Sequence, residues 1–259
     1  MGSQQLPMFL KNPIAIKEGA LLIADAHYSS FRPHLYDFLC DIHAKKIEAT
    51  QLILLGDIFD ALFGNIPYTQ EKNLPLIELL NTIAQDMPIL YLEGNHDFVL
   101  QNYFPNIEII PRSLQPLEVH FGTTKGYIAH GDFESDFGYE LYTQIIRNRG
   151  VLKFLYHIDR VLDHAIIKKI EHYLQKKNDC NSFEGFETFI ADHIQNYSDA
   201  DFFIEGHYHQ NLSVTYQGCK YTNLAAFACN QRYFRVQSTK DNQLKLHQLQ
   251  FLRGENKHG

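Results

Sequence analysis

The sequence predicts an α/β fold in which two stacked mixed β-sheets are flanked by helices and carry a helical insertion. Three strand–turn–helix units follow one another before residue 100, a helical pattern occupies about 136–197, and closely spaced strand patterns fill the last fifty residues. Strands that alternate with helices are typical of a layered sheet covered on both faces. We therefore expect a single domain, 1–259, with a lid-like insertion at about 136–197.

The elements can be assigned in chain order from their apolar patterns. The first unit joins a buried strand at 20–24 to a helix at 33–47, and the second joins 52–55 to a helix at 72–85. A third buried strand, 88–92, ends at a polar turn. Further strands are expected at 107–110, 117–121, 127–129, 201–205, 212–216, 221–226, 233–236 and 244–251.

Composition excludes several classes of protein. A net charge of −7 gives no reason to expect nucleic-acid binding, and no protein partner is predicted. No apolar run reaches 18 residues, so we expect neither a membrane span nor a secretion signal. The four cysteines show no C-x-x-C spacing, which predicts reduced thiols in the cytoplasm rather than a disulfide or structural zinc: Cys40, Cys180, Cys219 and Cys229.

Polar clusters follow five of the predicted strands. A single histidine at a strand end is more often hydrogen-bonded or exposed than a metal ligand, but packing gives no reason for five such clusters in succession. Carboxylate, imidazole and amide groups suit Mn²⁺, with Mg²⁺, Fe or Zn²⁺ as alternatives, and enough of them are present for two divalent ions. The clusters are Asp25/His27, Asp57/Asp60, Asn95/His96/Asp97, His130/Asp132 and His207/His209.

The order of these motifs resembles the calcineurin-like metallophosphoesterase superfamily over nearly the whole chain. The resemblance implies that His96 faces the leaving group of a phosphoester and that Asp60 orients His96. It also implies seven metal ligands, namely Asp25, His27 and His209 at a first ion, Asp57 as the bridge, and Asn95, His130 and His207 at a second.

The stretch 56–64, GDIFDALFG, is similar to a segment of the UDP-2,3-diacylglucosamine pyrophosphatases of lipid A biosynthesis, although Leu62 replaces their tryptophan and His96 their arginine. The similarity implies hydrolysis of UDP-2,3-diacylglucosamine to UMP and 2,3-diacylglucosamine 1-phosphate by a divergent branch. Arginine forks suit phosphate groups. The candidates for substrate binding are Arg147, Arg149, Asp132 and Tyr139.

The insertion is basic and apolar at once. Residues 145–177 carry about +5, which leaves −12 elsewhere in the chain. One interpretation is a helical pair with a solvated basic face. The other is a lid that holds acyl chains and touches the anionic cytoplasmic face of the inner membrane as a peripheral protein. A soluble phosphodiesterase or nucleotide phosphatase remains an alternative, as does a non-catalytic binding scaffold.

Overall fold

The computed structural model describes residues 14–133, 137–176, 180–197 and 199–252. The strands are β1 (Ile14–Ala15), β2 (Leu21–Ile23), β3 (Leu52–Leu54), β4 (Leu62–Phe63), β5 (Ile89–Leu92), β6 (Asp97–Phe98), β7 (Glu108–Ile110), β8 (Leu117–Phe121), β9 (Thr124–Ala129), β10 (Phe202–Glu205), β11 (Leu212–Tyr216), β12 (Cys219–Asn223), β13 (Arg232–Ser238) and β14 (Leu244–Gln250). The helices are α1 (His34–His43), α2 (Pro67–Asp86), α3 (Phe137–Ile146), α4 (Arg149–Val161), α5 (Ala165–Lys176), α6 (Phe186–His193) and α7 (Phe227–Asn230).

Two six-stranded sheets form the framework, which confirms the predicted fold class. The first has the order β14-β13-β2-β3-β5-β7, and the second has the order β1-β8-β9-β10-β12-β11. Strands β2, β3, β5 and β7 are parallel, whereas β13 and β14 are antiparallel. In the second sheet, β9, β10 and β12 are parallel. The carboxyl ends of the parallel strands therefore meet at one edge of each sheet, where open α/β sheets bind their ligands.

The apolar residues of the strands divide into two layers. Alternate side chains of β2, β3 and β5 point to opposite faces, as the strand period requires. Leu22, Ile53 and Leu90 pack against the second sheet, whereas Leu21 and Leu52 pack against α1 and α2. Because both faces are covered, these strands read as unbroken apolar runs in the sequence.

The helical stretch expected at 136–197 divides into two parts. Helices α4 and α5 pack on α2 and the 63–68 and 98–99 segments through the cluster of Ile66, Phe98, Leu152 and Ile167. Helix α6 instead packs on the second sheet. It is held there by a buried contact of 3.0 Å between His193 Nε2 and a carboxylate oxygen of Glu205 on β10. In the described part of the chain, no helix has both the length and the apolar character that crossing a bilayer requires.

One expectation about the cysteines is wrong. Cys180 and Cys229 form a disulfide across 49 residues, with their Cα atoms 5.8 Å apart, while Cys40 and Cys219 are free thiols. Sequence spacing could not show this pair, because the fold brings the segment after α5 beside α7. These two residues therefore give no support to a reducing compartment.

Candidate metal centre

All seven residues expected to bind metal come together between the two sheets. Asp25 and His27 follow β2, Asp57 follows β3, and Asn95 follows β5, while the second sheet supplies His130 after β9 and His207 and His209 after β10. Six of the seven supply ligand atoms to two groups in which all atoms lie within 4.8 Å of one another, Asp25/His27/His209 and Asp57/His130/His207, and His96 forms a third such group with His27 and Asp57. The first two groups correspond to the expected division between two ions, and the third links them through His27 and Asp57.

The donor atoms are arranged as a cation site requires. His130 Nδ1 lies 2.8 Å from the main-chain oxygen of Leu55 and donates its proton there, which leaves Nε2 as the ring atom that would bind a metal. That Nε2 lies 3.2 Å from Asn95 Oδ1 and 3.6 Å from Asp57 Oδ2, both of which are acceptors. Acceptor atoms that converge in this way are stabilised by a cation between them. The residues present therefore fit a divalent metal.

The electrostatics of the site also favour positive charge. Burial alone would raise the pKa values of Asp25 and Asp57, but the surrounding histidines outweigh burial and lower both. Burial opposes the charge on His130, but Asp57, Asp132 and Asp25 together raise the pKa of His130 to about 9. Burial and the charge of His130 lower the pKa of His207 to about 4, so that ring is neutral at pH 7 and able to bind metal.

The backbone at these residues is strained. Five of the seven candidate ligands have positive φ angles, between 44° and 64°: Asp25, His27, Asp57, His207 and His209. Residues other than glycine rarely adopt this region, and each costs on the order of 1 kcal/mol. Such strain persists where the surrounding structure enforces it, and it is concentrated at functional sites. The pattern is independent support for a functional centre.

Two glycines allow the carboxylates to approach the main chain. A Cβ atom at Gly94 would lie 2.2 Å from Asp57 Oδ1, and one at Gly206 would lie 2.6 Å from Asp25 Oδ2. The main-chain N–H of His207 then donates to the Asp25 carboxylate, at 2.9 and 3.1 Å to its two oxygens. These glycines are therefore required for close contact with the ligands as well as for turning the chain.

His96 and Asp60 lie beside the centre, but the contact between them differs from the expected one. His96 Nδ1 lies 2.9 Å from the main-chain oxygen of Asp60, whereas the Asp60 carboxylate lies 3.7 Å from His27 Nδ1. His96 Nε2 is thereby directed toward the centre and lies 3.9 Å from Asp57 Oδ2. The main chain at residue 60 orients His96, and the carboxylate faces a candidate metal ligand instead.

Asp97 has a structural role that the sequence analysis did not assign. Its buried carboxylate accepts hydrogen bonds from the N–H groups of Asp57, Ile58 and Phe59 in one ligand loop and Gly94 in the other. The hydroxyl of Tyr91 is a fifth donor, at 2.5 Å. Burial and the nearby Asp57 raise the pKa of Asp97 to about 6, so it remains largely ionised at neutral pH. Asp97 fixes the two loops against each other.

The four candidates for substrate binding lie in different environments. Asp132 is buried between two guanidinium groups, 3.2 Å from Arg112 Nε and 3.5 Å from Arg147 Nη2. Arg149 is exposed. The side chain of Tyr139 lies outside the described residues. The structure therefore brings Asp132 and Arg147 together as an ion pair.

Several known proteins and one protein family are similar to this chain. A family model described as calcineurin-like phosphoesterase matches residues 20–211. A UDP-2,3-diacylglucosamine hydrolase from Histophilus somni (strain 129Pt) is 26% identical over 200 residues, covering 73% of this chain and 84% of that protein. One from Coxiella burnetii (strain RSA 331 / Henzerling II) is 24% identical over 195 residues, covering 73% and 80%. Among solved structures, a dimetal phosphatase from Danio rerio is 12% identical with a TM-score of 0.44, covering 88% of this chain and 94% of that one. The chain belongs to the calcineurin-like phosphoesterase family, and its site is that of a metal-dependent hydrolase.

Proposed function

We propose that this protein hydrolyses the pyrophosphate of UDP-2,3-diacylglucosamine, giving UMP and 2,3-diacylglucosamine 1-phosphate. The metal centre supports phosphoester chemistry, and the names of the relatives support this substrate. The observation that carries the choice of a lipid is an apolar cavity that adjoins the metal centre.

The cavity has a volume of about 390 Å³ and lies between the core and the insertion. Asn95 and His96 of the metal centre line it, so it reaches the reacting groups. The rest of its wall is mostly apolar, with Phe63, Ile66 and Phe98 from the core and Tyr142, Ile146, Leu152, Leu155, Tyr156, Ile166, Ile167, Ile170, Tyr173 and Leu174 from the insertion. A cavity of this size and character suits an apolar ligand.

In this proposal the cavity binds an acyl chain of the substrate, and the metal centre binds its phosphoryl groups. Burial of an acyl chain contributes roughly 0.8 kcal/mol for each methylene group removed from water. Two divalent ions, which we propose to be Mn²⁺, supply neutralisation of phosphoryl charge and activation of water when bound. His96, which lines the cavity and faces the centre, lies where it can stabilise the departing phosphate oxygen. One P–O bond is broken and the elements of water are added to the two products.

The cavity predicts a substitution that separates the lipid from other phosphoesters. Leu155 lines the cavity but is 40% exposed, so Leu155→Glu is compatible with folding. A carboxylate in this wall opposes acyl burial by about 1–3 kcal/mol, and we expect the KM for UDP-2,3-diacylglucosamine to rise roughly 10- to 100-fold. Hydrolysis of bis(p-nitrophenyl) phosphate should not change.

Ile158→Glu is the matched control, since Ile158 lies in the same helix, is 37% exposed and is absent from the cavity wall. Equal effects of the two substitutions would contradict the role of the cavity. Wild-type protein that prefers an unacylated UDP-sugar or a simple phosphodiester to the lipid would instead favour the soluble phosphodiesterase alternative.

We further propose that the outer face of the insertion contacts the anionic cytoplasmic surface of the inner membrane. Phe154, Val161 and Leu162 expose apolar side chains. Basic residues are exposed on the same helices: Arg149, Lys153, Arg160, Lys168, Lys169 and Lys176. Apolar burial and attraction to anionic lipids together support binding in the plane of the interface.

A fluorescence measurement tests this contact, because the chain contains no tryptophan. In Phe154→Trp, whose parent side chain is 63% exposed, the only indole reports on the insertion. We expect its emission to shift to shorter wavelength with phosphatidylglycerol vesicles, and less so at high salt. Leu252→Trp, outside the insertion, is the control. Absence of a shift for Phe154→Trp, or an equal shift for both, would contradict the proposal.

A further inference from the structure

The side chain of Arg147 contacts the loops that carry Asn95 and His130. It follows the last residue of α3, and its side chain is 14% exposed. Its Nη2 donates to the main-chain oxygen of Gly94 at 2.8 Å and lies 3.5 Å from Asp132 Oδ2. The guanidinium also lies 5.2 Å from the centre of the Phe98 ring, within range of a cation–π contact. One side chain thus joins three segments of the protein.

Two of these segments carry ligands for the same metal. Gly94 directly precedes Asn95, and Asp132 follows His130 by two residues. Asn95 Oδ1 and His130 Nε2 are the atoms that face each other at 3.2 Å. A displacement of either loop changes the separation of these two donor atoms. Arg147 contacts the loops that carry Asn95 and His130, whereas Asp25, His27 and His209 are expected to hold the other ion.

A second arginine, Arg112, also contacts Asp132. Arg112 donates to the main-chain oxygen of Asp132 at 2.9 Å from Nε and 2.6 Å from Nη2, and its Nη1 pairs with Glu140 of α3 at 2.6 Å. Asp132 is therefore already fixed to α3 through Arg112. The contact that depends on Arg147 is the one with Gly94, which connects the loop of Asn95 to Asp132.

We propose that Arg147 is a positioning residue for the metal held by Asn95, His130 and His207, and not a ligand for the substrate phosphate. The planar fork places one nitrogen between a carbonyl and a carboxylate while the ring of Phe98 supports its face. A lysine ammonium retains the charge but cannot reproduce this arrangement. The proposal rests on the two-metal centre and is independent of the identity of the substrate.

The two possible roles of Arg147 are distinguishable, and both have a structural basis. Its Nε and Nη1 atoms are buried and have no hydrogen bond to any residue in the described ranges, so a phosphate group is a conceivable partner. A substrate ligand affects KM and leaves the metals in place. A positioning residue affects the affinity for one metal, whether or not substrate is present.

Calorimetric titration of metal-free full-length protein with Mn²⁺ tests the proposal. We expect two ions in the wild type, and in Arg147→Ala an unchanged first ion with a second bound roughly 10- to 100-fold more weakly, as is usual when an outer partner of a metal ligand is removed. Arg147→Lys should be weakened to a smaller extent. The exchange-coupled spin-resonance signal of a manganese pair should fall in parallel.

Arg149→Ala is the matched control, since Arg149 is a neighbouring exposed arginine, and it should leave both ions unchanged. Wild-type affinity for both ions in Arg147→Ala, with or without a raised KM, overturns the proposal. Equal weakening of both ions together with a lower unfolding temperature also overturns it, because that result shows a general structural role. If Arg147→Ala does not fold, Arg147→Lys decides by the same criteria. A wild type that binds fewer than two ions overturns the two-metal centre itself.

Discussion

Asp57→Asn is expected to lower kcat by roughly 10³- to 10⁴-fold and to leave the protein with fewer than two bound ions. Asp57 belongs to two of the three groups of candidate ligands, as does His27, and of these two residues it is the one that carries a negative charge. Its lowered pKa keeps it ionised at neutral pH, so asparagine removes a full negative charge from between the cations. Loss of a metal from such a site removes several kcal/mol of charge stabilisation in the transition state, and about 1.4 kcal/mol corresponds to each factor of ten.

Asparagine is chosen so that the fold is preserved. Asp57 Oδ1 accepts a hydrogen bond from the main-chain N–H of His96 at 2.8 Å, and the amide oxygen of asparagine can accept it as well. The measurement is a count of bound metal by elemental analysis beside turnover of the lipid and of bis(p-nitrophenyl) phosphate. Asp163→Asn is the control, because Asp163 is an exposed aspartate of the insertion. Two ions and normal turnover in Asp57→Asn would show that Asp57 does not bridge the metals.

The clustering of the seven candidate ligands could be predicted from the sequence because sheet topology determines where the ends of buried strands lie. Asp57 and His130 follow strands from different sheets, yet each follows an apolar run and stands beside a glycine, and this was a sufficient signal. The fold class followed from the same runs and the helices between them. The helix boundaries were less accurate, since α2 begins at Pro67, where a proline at the first turn is compatible with a helix.

The role of Asp97 and the disulfide depend on which residues lie close together in the folded protein, and the spacing of the motifs does not give this. Asp97 is adjacent to His96 and reads as one more acid of the motif, but its five donors come from two separate loops and from the side chain of Tyr91 on β5. The pairing of Cys180 with Cys229 depends on the return of the chain after the insertion. A signal for Asp97 did exist: an acid next to a buried strand needs several donors, and the turn beyond β3 supplies three N–H groups.

His96, which we propose faces the leaving group, gives the other large expected effect. His96→Ala should lower kcat for the lipid by about 10³-fold, within the range of 10²- to 10⁴-fold that is typical of a positioned proton donor. The contact of Nδ1 with the main-chain oxygen of Asp60 leaves Nε2 as the atom directed at the centre. Both metals should remain bound, because the resemblance to the family assigns His96 no metal.

Counting the bound metals distinguishes a leaving-group role for His96 from a role as a metal ligand, which the structure also permits. His96, His27 and Asp57 have ligand atoms within 4.8 Å of one another and could hold an ion among them. Loss of an ion in His96→Ala would show that His96 is a ligand and would exclude a role confined to the leaving group. His157→Ala, which removes an exposed histidine of α4, is the control and should change neither quantity. Unchanged turnover in His96→Ala with both ions present would remove His96 from the mechanism altogether.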